Sequence, residues 1–370
     1  MPVAIFKTHK EAPVVVMATT NIMQATWERF YDLQDKNLTI FAQYTAAPWE
    51  YIGTQGVIEG TFETLSAIAM KKFNDDLSGK IYLTAGAGGM GANQTWAMKM
   101  HGGVCIVVDV NEKTMKKRIE KDYLDIIASS LEEAIRIAKE NSKAKKPISI
   151  GVVGNAADMY EKILASDFRP DICSEMCPCH DPISYIPSGY TAEEADKLRI
   201  ENREKYLQLA RETMKRQLAA MVALKTDGVE VFEYGTSIRK ECMDAGFPRE
   251  EAMKIKGFVA EYIRPLFCEG RGPFRWTCLS RDPEDLKVSE DIALEICKGD
   301  KLVERWINLA RKNLPIEGMP ARICYMGFGE RKRFGLAINQ AIKDGRIKGT
   351  VAFSRDNLDS GSIVNPTFES

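Results

Sequence analysis

Residues 86–91 read Gly-Ala-Gly-Gly-Met-Gly. Gly86, Gly88 and Gly91 fit the G-x-G-x-x-G spacing of dinucleotide-binding turns. The first glycine permits the tight turn, the second lets the backbone approach a pyrophosphate, and the third lets the following helix pack closely on the strand. Gly89 and Met90 complete the turn. A strand-like apolar segment, 80–85, precedes it and a helix-like segment, 92–101, follows, so phosphates would meet free N–H groups and a favourable dipole at a helix start. Asp109 closes the apolar run 104–108, where an acidic side chain takes ribose hydroxyls. Strand, glycines, helix, strand and acid in that order predict a dinucleotide site. A glycine-rich turn with no ligand is the competing reading.

Other reactive side chains are sparse or scattered. The three histidines are His9, His101 and His180, too few for a multi-histidine metal site. Cys173, Cys177, Cys179 and His180 form the densest thiol cluster, but their C-x3-C-x-C-H spacing matches no common zinc or iron–sulfur pattern. They read as small apolar thiols along a loop, and no metal is expected. Cys268 lies beside Glu269 and Arg271, of which the arginine would lower and the glutamate raise its pKa. Nine cysteines in all, an odd number spread over 370 residues, fit reduced thiols and a cytoplasmic location.

The elements that must position these groups alternate. Strand-like runs occupy 80–85, 104–110, 148–153, 229–232, 321–325 and 350–353. Helix-like runs occupy 92–101, 112–141, 158–166, 192–223 and 331–344, the fourth opened by Thr191 as N-cap with acids behind it. Alternating strands and helices predict an α/β fold with a parallel sheet. Segments 43–56, 173–189, 268–276 and 327–331 mix Gly, Pro, aromatic and charged residues and read as loops, where functional groups concentrate. A formal charge of −1, with 45% hydrophobic and 28% charged residues, gives no reason to expect nucleic acid or an anionic membrane as partner. No apolar run approaches the roughly 20 residues that span a bilayer.

The chain resembles the urocanases over essentially its whole length. The carrying segments are FKTHKEAP, YIGTQGVIEGTFET, LTAGAGGMG, SIGVVGNAAD, HDP with YIPSGY, FEYG, YIRPLFCEGRGPFRW, SRDPEDL, PARICYMGFGER and RDNLDSGS. The resemblance implies a Rossmann-like NAD domain, 56–262, inserted into a mixed α/β core domain built from 1–55 and 263–370. It implies hydration of urocanate to imidazolonepropionate in histidine degradation. Tightly bound NAD+ would act as an electrophile toward the imidazole ring, without net redox. The small-molecule substrate would be the main partner, and the family's usual assembly is a homodimer.

Residue by residue, the resemblance places Gly89, Met90 and Gly91 along the pyrophosphate and Asp109 where the family has a ribose-binding Glu. Gln43, Asn155, Ala156, Tyr185, Ile186 and Tyr234 fall at cofactor-contacting positions. So does the segment Met176, Cys177, Pro178, Cys179, His180, which in the family usually reads Q-T-S-A-H. Cys324 matches the active-site cysteine and is expected beside the nicotinamide ring. Arg275 is a carboxylate clamp by its bidentate guanidinium, and Asp356 and Asp359 would handle protons or the imidazole N–H.

The chain also departs from the family. The usual N-terminal and C-terminal glycine-rich segments are expected to be lacking. Thr114 stands where an Arg is usual near the adenosine half, and Phe368 near where an Arg follows the S-P-N segment. These departures leave open a divergent hydratase of a modified imidazole acrylate, or an NAD-binding fragment without turnover. A dehydrogenase using the same glycine loop is a further alternative, and it would reduce NAD during turnover.

Overall fold

The computed structural model describes residues 54–355, apart from residue 317, together with Glu28 and Asp32. In chain order it begins with α1 (Gln55–Lys72), β1 (Ile81–Ala85), α2 (Asn93–Met100), β2 (Val104–Asp109), α3 (Glu112–Glu120), β3 (Ile126–Ala128) and α4 (Leu131–Lys143). There follow β4 (Ile148–Val153), α5 (Ala156–Leu164), β5 (Ile172–Cys173), α6 (Ala192–Glu201), α7 (Arg203–Thr226) and β6 (Glu230–Glu233). Then come α8 (Ile238–Asp244), α9 (Arg249–Ala252), β7 (Lys256–Gly257), a π-helical turn (Val259–Ile263) and α10 (Arg264–Cys268). The last elements are β8 (Gly272–Cys278), α11 (Pro283–Ile296), α12 (Lys301–Asn313), β9 (Ala321–Met326), α13 (Glu330–Lys343) and β10 (Val351–Arg355).

The first seven strands form one sheet in the order β3-β4-β2-β1-β5-β6-β7. Every pairing in it is parallel, for example Ile81 with Val104 and Leu83 with Cys173. A parallel sheet is covered on both faces, which is why β1, β2 and β4 are nearly continuous apolar runs. Ile81, Leu83 and Ala85 point to the face covered by α4, α5 and α7, with Ala134, Tyr160 and Leu218 among the covering side chains. Tyr82 and Cys105 point to the other face, against Phe62 of α1 and Met98 of α2. Side-chain caps fix the helix starts. Ser130 accepts from Glu133 N–H, Asn155 from Ala157 N–H, and Thr191 forms a capping box with Glu194.

The second sheet is antiparallel, in the order β10-β8-β9, with Phe274 opposite Cys324 and Arg275 opposite Ile323. Trp276 and Trp306 are fully buried against it. The Trp276 indole donates to Ser289 Oγ at 2.8 Å and that of Trp306 to the Ile323 carbonyl at 2.7 Å. A buried polar network ties α1 to this sheet. Arg322 donates to Glu290 and to Gln55 Oε1, and Gln55 Nε2 donates to the Ala321 carbonyl at 3.0 Å. Arg311 closes it by pairing with the second oxygen of Glu290. Such a network fixes a register more than it adds stability.

Several sequence expectations are corrected. Residues 112–141 hold α3, β3 and most of α4, not one helix. Asn202 splits 192–223 into α6 and α7, its side chain capping the second at Lys205 N–H. Segment 268–276, expected as a loop, is largely β8, the central strand of the small sheet. Its Gly-Pro start disguises it, since Pro273 donates nothing to a ladder. β5 and β7, each of 2 residues, are too short to leave a pattern.

Replacing Trp306 by Ala removes a packed ring and leaves the buried Ile323 carbonyl without its donor. Urea denaturation of Trp306→Ala is expected to show a loss of about 3–5 kcal/mol.

Candidate functional site

The order of the large sheet reverses direction between β1 and β5. Ligands of such sheets bind outside the carboxyl ends of the strands at that reversal. A cavity of about 570 Å³ opens there.

The glycine turn forms its floor. Gly86 has φ +86° and lies against the chain that follows β5; a Cβ on it would sit 2.4 Å from the Met176 carbonyl oxygen. A Cβ on Gly91 would sit 1.9 Å from the Gly86 carbonyl oxygen. Both positions thus exclude side chains for packing reasons. Gly88 and Gly89 differ: nothing lies within 4 Å of a Cβ on either. Both face the cavity, so the turn presents bare backbone to open space, as a phosphate cradle requires.

Asp109 lines the same cavity at the end of β2. Its Oδ2 accepts from Ala87 N–H at 2.6 Å and its Oδ1 from Asn111 N–H at 2.8 Å. Burial raises its pKa, opposed by those two N–H groups and by Arg118. Asn155 lines the cavity, caps α5, and donates from Nδ2 to the Ile186 carbonyl at 2.9 Å. It thereby joins the turn after β4 to the loop carrying Tyr185, whose hydroxyl donates to Gln217 at 2.7 Å. Tyr234 follows β6. Its hydroxyl shares a 2.6 Å hydrogen bond with Thr61 and its ring stacks on Phe258 at 4.4 Å.

The cofactor positions expected from the sequence therefore converge. Gly86, Gly88, Gly89, Met90, Gly91, Asp109, Asn155, Ala156, Met176, Cys177, Pro178, His180, Tyr185, Ile186 and Tyr234 all line one cavity. Cys179 does not; it is fully buried behind the loop, 3.9 Å from Glu175. Glu175 underlies this loop, accepting from Thr236 and from Cys177 N–H, and burial lifts its carboxyl to about 8. Among the described residues no cluster of His, Cys, Asp and Glu is placed to hold a metal ion.

The expected catalytic residues are less concentrated. Cys324 does not line the cavity. Strand alternation puts it with Phe274, while Ile323 and Tyr325 line the cavity from the same strand. It is fully buried, and burial pushes its thiol well above the usual range, with Glu59 the next cause. It lies between two lining residues of its strand without lining the cavity itself. Arg275 is buried on the same face of β8 as Pro273, a lining residue. Gln43, Asp356, Asp359 and Phe368 lie outside the described residues.

The sequence reading missed the wall opposite the glycines. Gly56, Val57, Glu59 and Gly60 of α1 line it, with Phe258, Val259, Pro273, Ile323 and Tyr325. The available signal was a charged residue set between Val57 and Gly60 on a helix whose next turns are buried. Behind it lies Glu63, fully buried, its Oε2 without a hydrogen-bond partner.

Sheet order and glycine turn together define an α/β protein of the Rossmann type. The chain belongs to the urocanase family. The urocanase Rossmann-like domain matches residues 53–262, the urocanase C-terminal domain residues 265–370, and the urocanase N-terminal domain residues 1–50. Among solved structures, L-tryptophan dehydrogenase from Nostoc punctiforme is similar at 14% identity with a TM-score of 0.24. That match covers 70% of this chain and 61% of the dehydrogenase, so the chain spans less than two thirds of that protein's length. No helix among the described residues is long and apolar enough to cross a membrane.

Two stability predictions follow from this geometry. Gly91→Ala forces the turn apart and is expected to cost about 1–3 kcal/mol or more, whereas Gly89→Ala is expected to melt like the native protein; urea titration of both distinguishes them. Burial holds the Glu63 carboxyl at about 7, above its ordinary 4.5 and against the pull of Arg271. The folded chain then keeps a proton that the unfolded chain releases, so this group's contribution to stability falls as pH rises from 4.5 to about 7. Glu63→Gln is expected to remove a slope of up to about 1.4 kcal/mol per pH unit in that window, read as the difference between urea melts of the two proteins.

Proposed function

We propose that this protein hydrates urocanate, with NAD+ held in the cavity as a prosthetic group. The observation that carries this is the open space over Gly88 and Gly89 at the sheet reversal, in a chain matched by urocanase domains along its length. Gly88 and Gly89 would receive the pyrophosphate on backbone N–H groups. Asp109 would take the adenosine ribose hydroxyls; its charge disfavours an added 2′-phosphate, hence NAD over NADP. When bound, NAD+ supplies an electrophilic ring that takes up and returns electron density without net redox.

The chain's own residues orient and shield. β2, β1, β5 and β6 lie side by side, so Asp109 at the end of β2 and Tyr234 just after β6 stand about 14 Å apart at the usual 4.8 Å strand spacing. That span suits an extended dinucleotide. Tyr234, pinned by Thr61 and backed by Phe258, gives a flat apolar wall for an aromatic ring. Arg275, on the cavity-facing side of β8, would pair bidentately with the substrate carboxylate. Cys324, a neutral buried thiol behind the wall, shapes the site by packing.

The test is the ultraviolet absorbance of urocanate with purified protein and NAD+. Urocanate is expected to disappear without NADH accumulating, and Gly88→Val, which fills the cradle, is expected to lose both bound nucleotide and turnover. Reduction of NAD in step with turnover, or full activity in Gly88→Val, would contradict the reading.

A further inference from the structure

The carbonyl groups of the glycine turn are tied into the protein one after another. The Ala87 carbonyl accepts from Arg118 Nε at 2.8 Å and that of Gly88 from Ala92 N–H at 3.1 Å. The Met90 carbonyl accepts from Asn93 N–H at 3.2 Å, and that of Gly91 from Gln94 N–H at 3.1 Å. In a trans peptide the carbonyl and the following N–H point opposite ways, and all described peptides are trans. Anchoring the carbonyls of residues 87–90 therefore turns the N–H groups of Gly88, Gly89, Met90 and Gly91 away from those anchors. All but the anchors' own residues line the cavity here: Gly88, Gly89, Met90 and Gly91. None of these four N–H groups bonds an acceptor among the described residues. Successive backbone donors turned one way make a concavity for an anion.

One peptide in this row has no backbone tether among the described residues. The Gly89 carbonyl accepts from a side chain, Asn93 Nδ2, at 2.7 Å. Asn93 opens α2, is fully buried, and is not among the lining residues. Its Nδ2 also reaches the Met90 carbonyl at 3.2 Å. Sterics do not fix the Gly89–Met90 peptide, since a Cβ on Gly89 would meet nothing within 4 Å and glycine accepts many orientations. Without the Asn93 amide that peptide is free to turn its carbonyl toward the cavity, where the oxygen would repel a phosphate.

The other end of the amide argues against a packing role. Asn93 Oδ1 is buried with no hydrogen-bond partner among the described residues. A buried acceptor left unpaired is destabilising, and alanine would remove it while favouring the helix. The donor end supplies the reason to keep the amide.

We propose that Asn93 is a positioning residue for the diphosphate of a bound nucleotide: its Nδ2 holds the Gly89 carbonyl inward and so keeps the Met90 N–H aimed at the phosphate oxygens. This rests on the reading of the cavity as a dinucleotide site. It concerns diphosphate binding and not the chemical step.

The experiment is calorimetric titration of the protein, freed of nucleotide, with ADP, adenosine and NAD+. Asn93→Ala is expected to weaken ADP binding about ten- to a hundredfold, to leave adenosine binding unchanged, and to melt close to the native protein. Asn93→Ser differs from the alanine variant by one oxygen. Its hydroxyl can donate to the carbonyl four residues back, so part of the ADP affinity is expected to return. The serine variant also serves if the alanine variant does not fold, with a partial loss expected for ADP alone. Equal ADP affinity in native and alanine proteins, an equal fall for adenosine, or no ADP binding by the native protein overturns the proposal. Selective loss of ADP in the alanine variant, with no NAD+ binding by the native protein, would overturn the dinucleotide reading and uphold Asn93. NAD+ bound equally by native and alanine proteins would do the reverse.

Discussion

Backbone lies directly on backbone where the turn after β1 meets the chain after β5, and the site exists because nothing else fits there. Gly91 touches the Gly86 carbonyl, and Gly86, in a left-handed conformation, touches the Met176 carbonyl. The Met176 N–H extends the sheet by bonding the Ala85 carbonyl at 2.7 Å. These contacts lock the glycine turn, the start of α2 and the cysteine-bearing loop into one rigid unit. Only then are the next glycines, Gly88 and Gly89, left bare and facing outward. A single methyl group at Gly91 would separate the layers, while one at Gly89 would occupy the cradle and leave the layers in place.

The remainder of the structure brings the second wall to this unit. Gln55, Arg322, Glu290 and Arg311 anchor the start of α1 to β9 and α11 through a buried chain of hydrogen bonds. That anchoring fixes the rotation of α1, and with it which of its residues look into the cavity. Glu59 and Glu63 share the helix, yet one lines the cavity and the other is sealed among Arg271, Asp300 and Cys324. Burial, aided by Asp300 and opposed by Arg271 and Arg305, raises the second carboxyl to about 7. The helix therefore has a cavity-lining carboxylate and a sealed one, a turn apart.

Much of the large sheet was legible in the sequence because a strand covered on both faces must be apolar along its length, as β1, β2 and β4 are. The glycine turn was legible because steric demands leave few other residues at positions 86 and 91. β5 and β7 were not legible: strands of 2 residues carry no periodicity. β8 was hidden by the chemistry of its own start, Gly272-Pro273, which reads as a turn. On the site, the loops after β1, β4 and β5 were visible through motif and resemblance, since their roles depend on local backbone shape. The orientation of Cys324 was not, because it depends on the register Phe274 to Cys324 between strands distant in sequence. Glu59 escaped for a related reason. A carboxylate on a helix reads as solvent-facing until tertiary packing buries it.

The proposed function requires that the bare glycine turn and Asp109 retain a dinucleotide of the NAD type. The measurement that tests it most directly is to purify the protein without added cofactor, denature it, and identify and count the released nucleotide by mass spectrometry against protein concentration. The account predicts intact NAD+ approaching one per chain. Release of NADP+ instead, or of no nucleotide from protein that also takes up none when NAD+ is supplied, would contradict it.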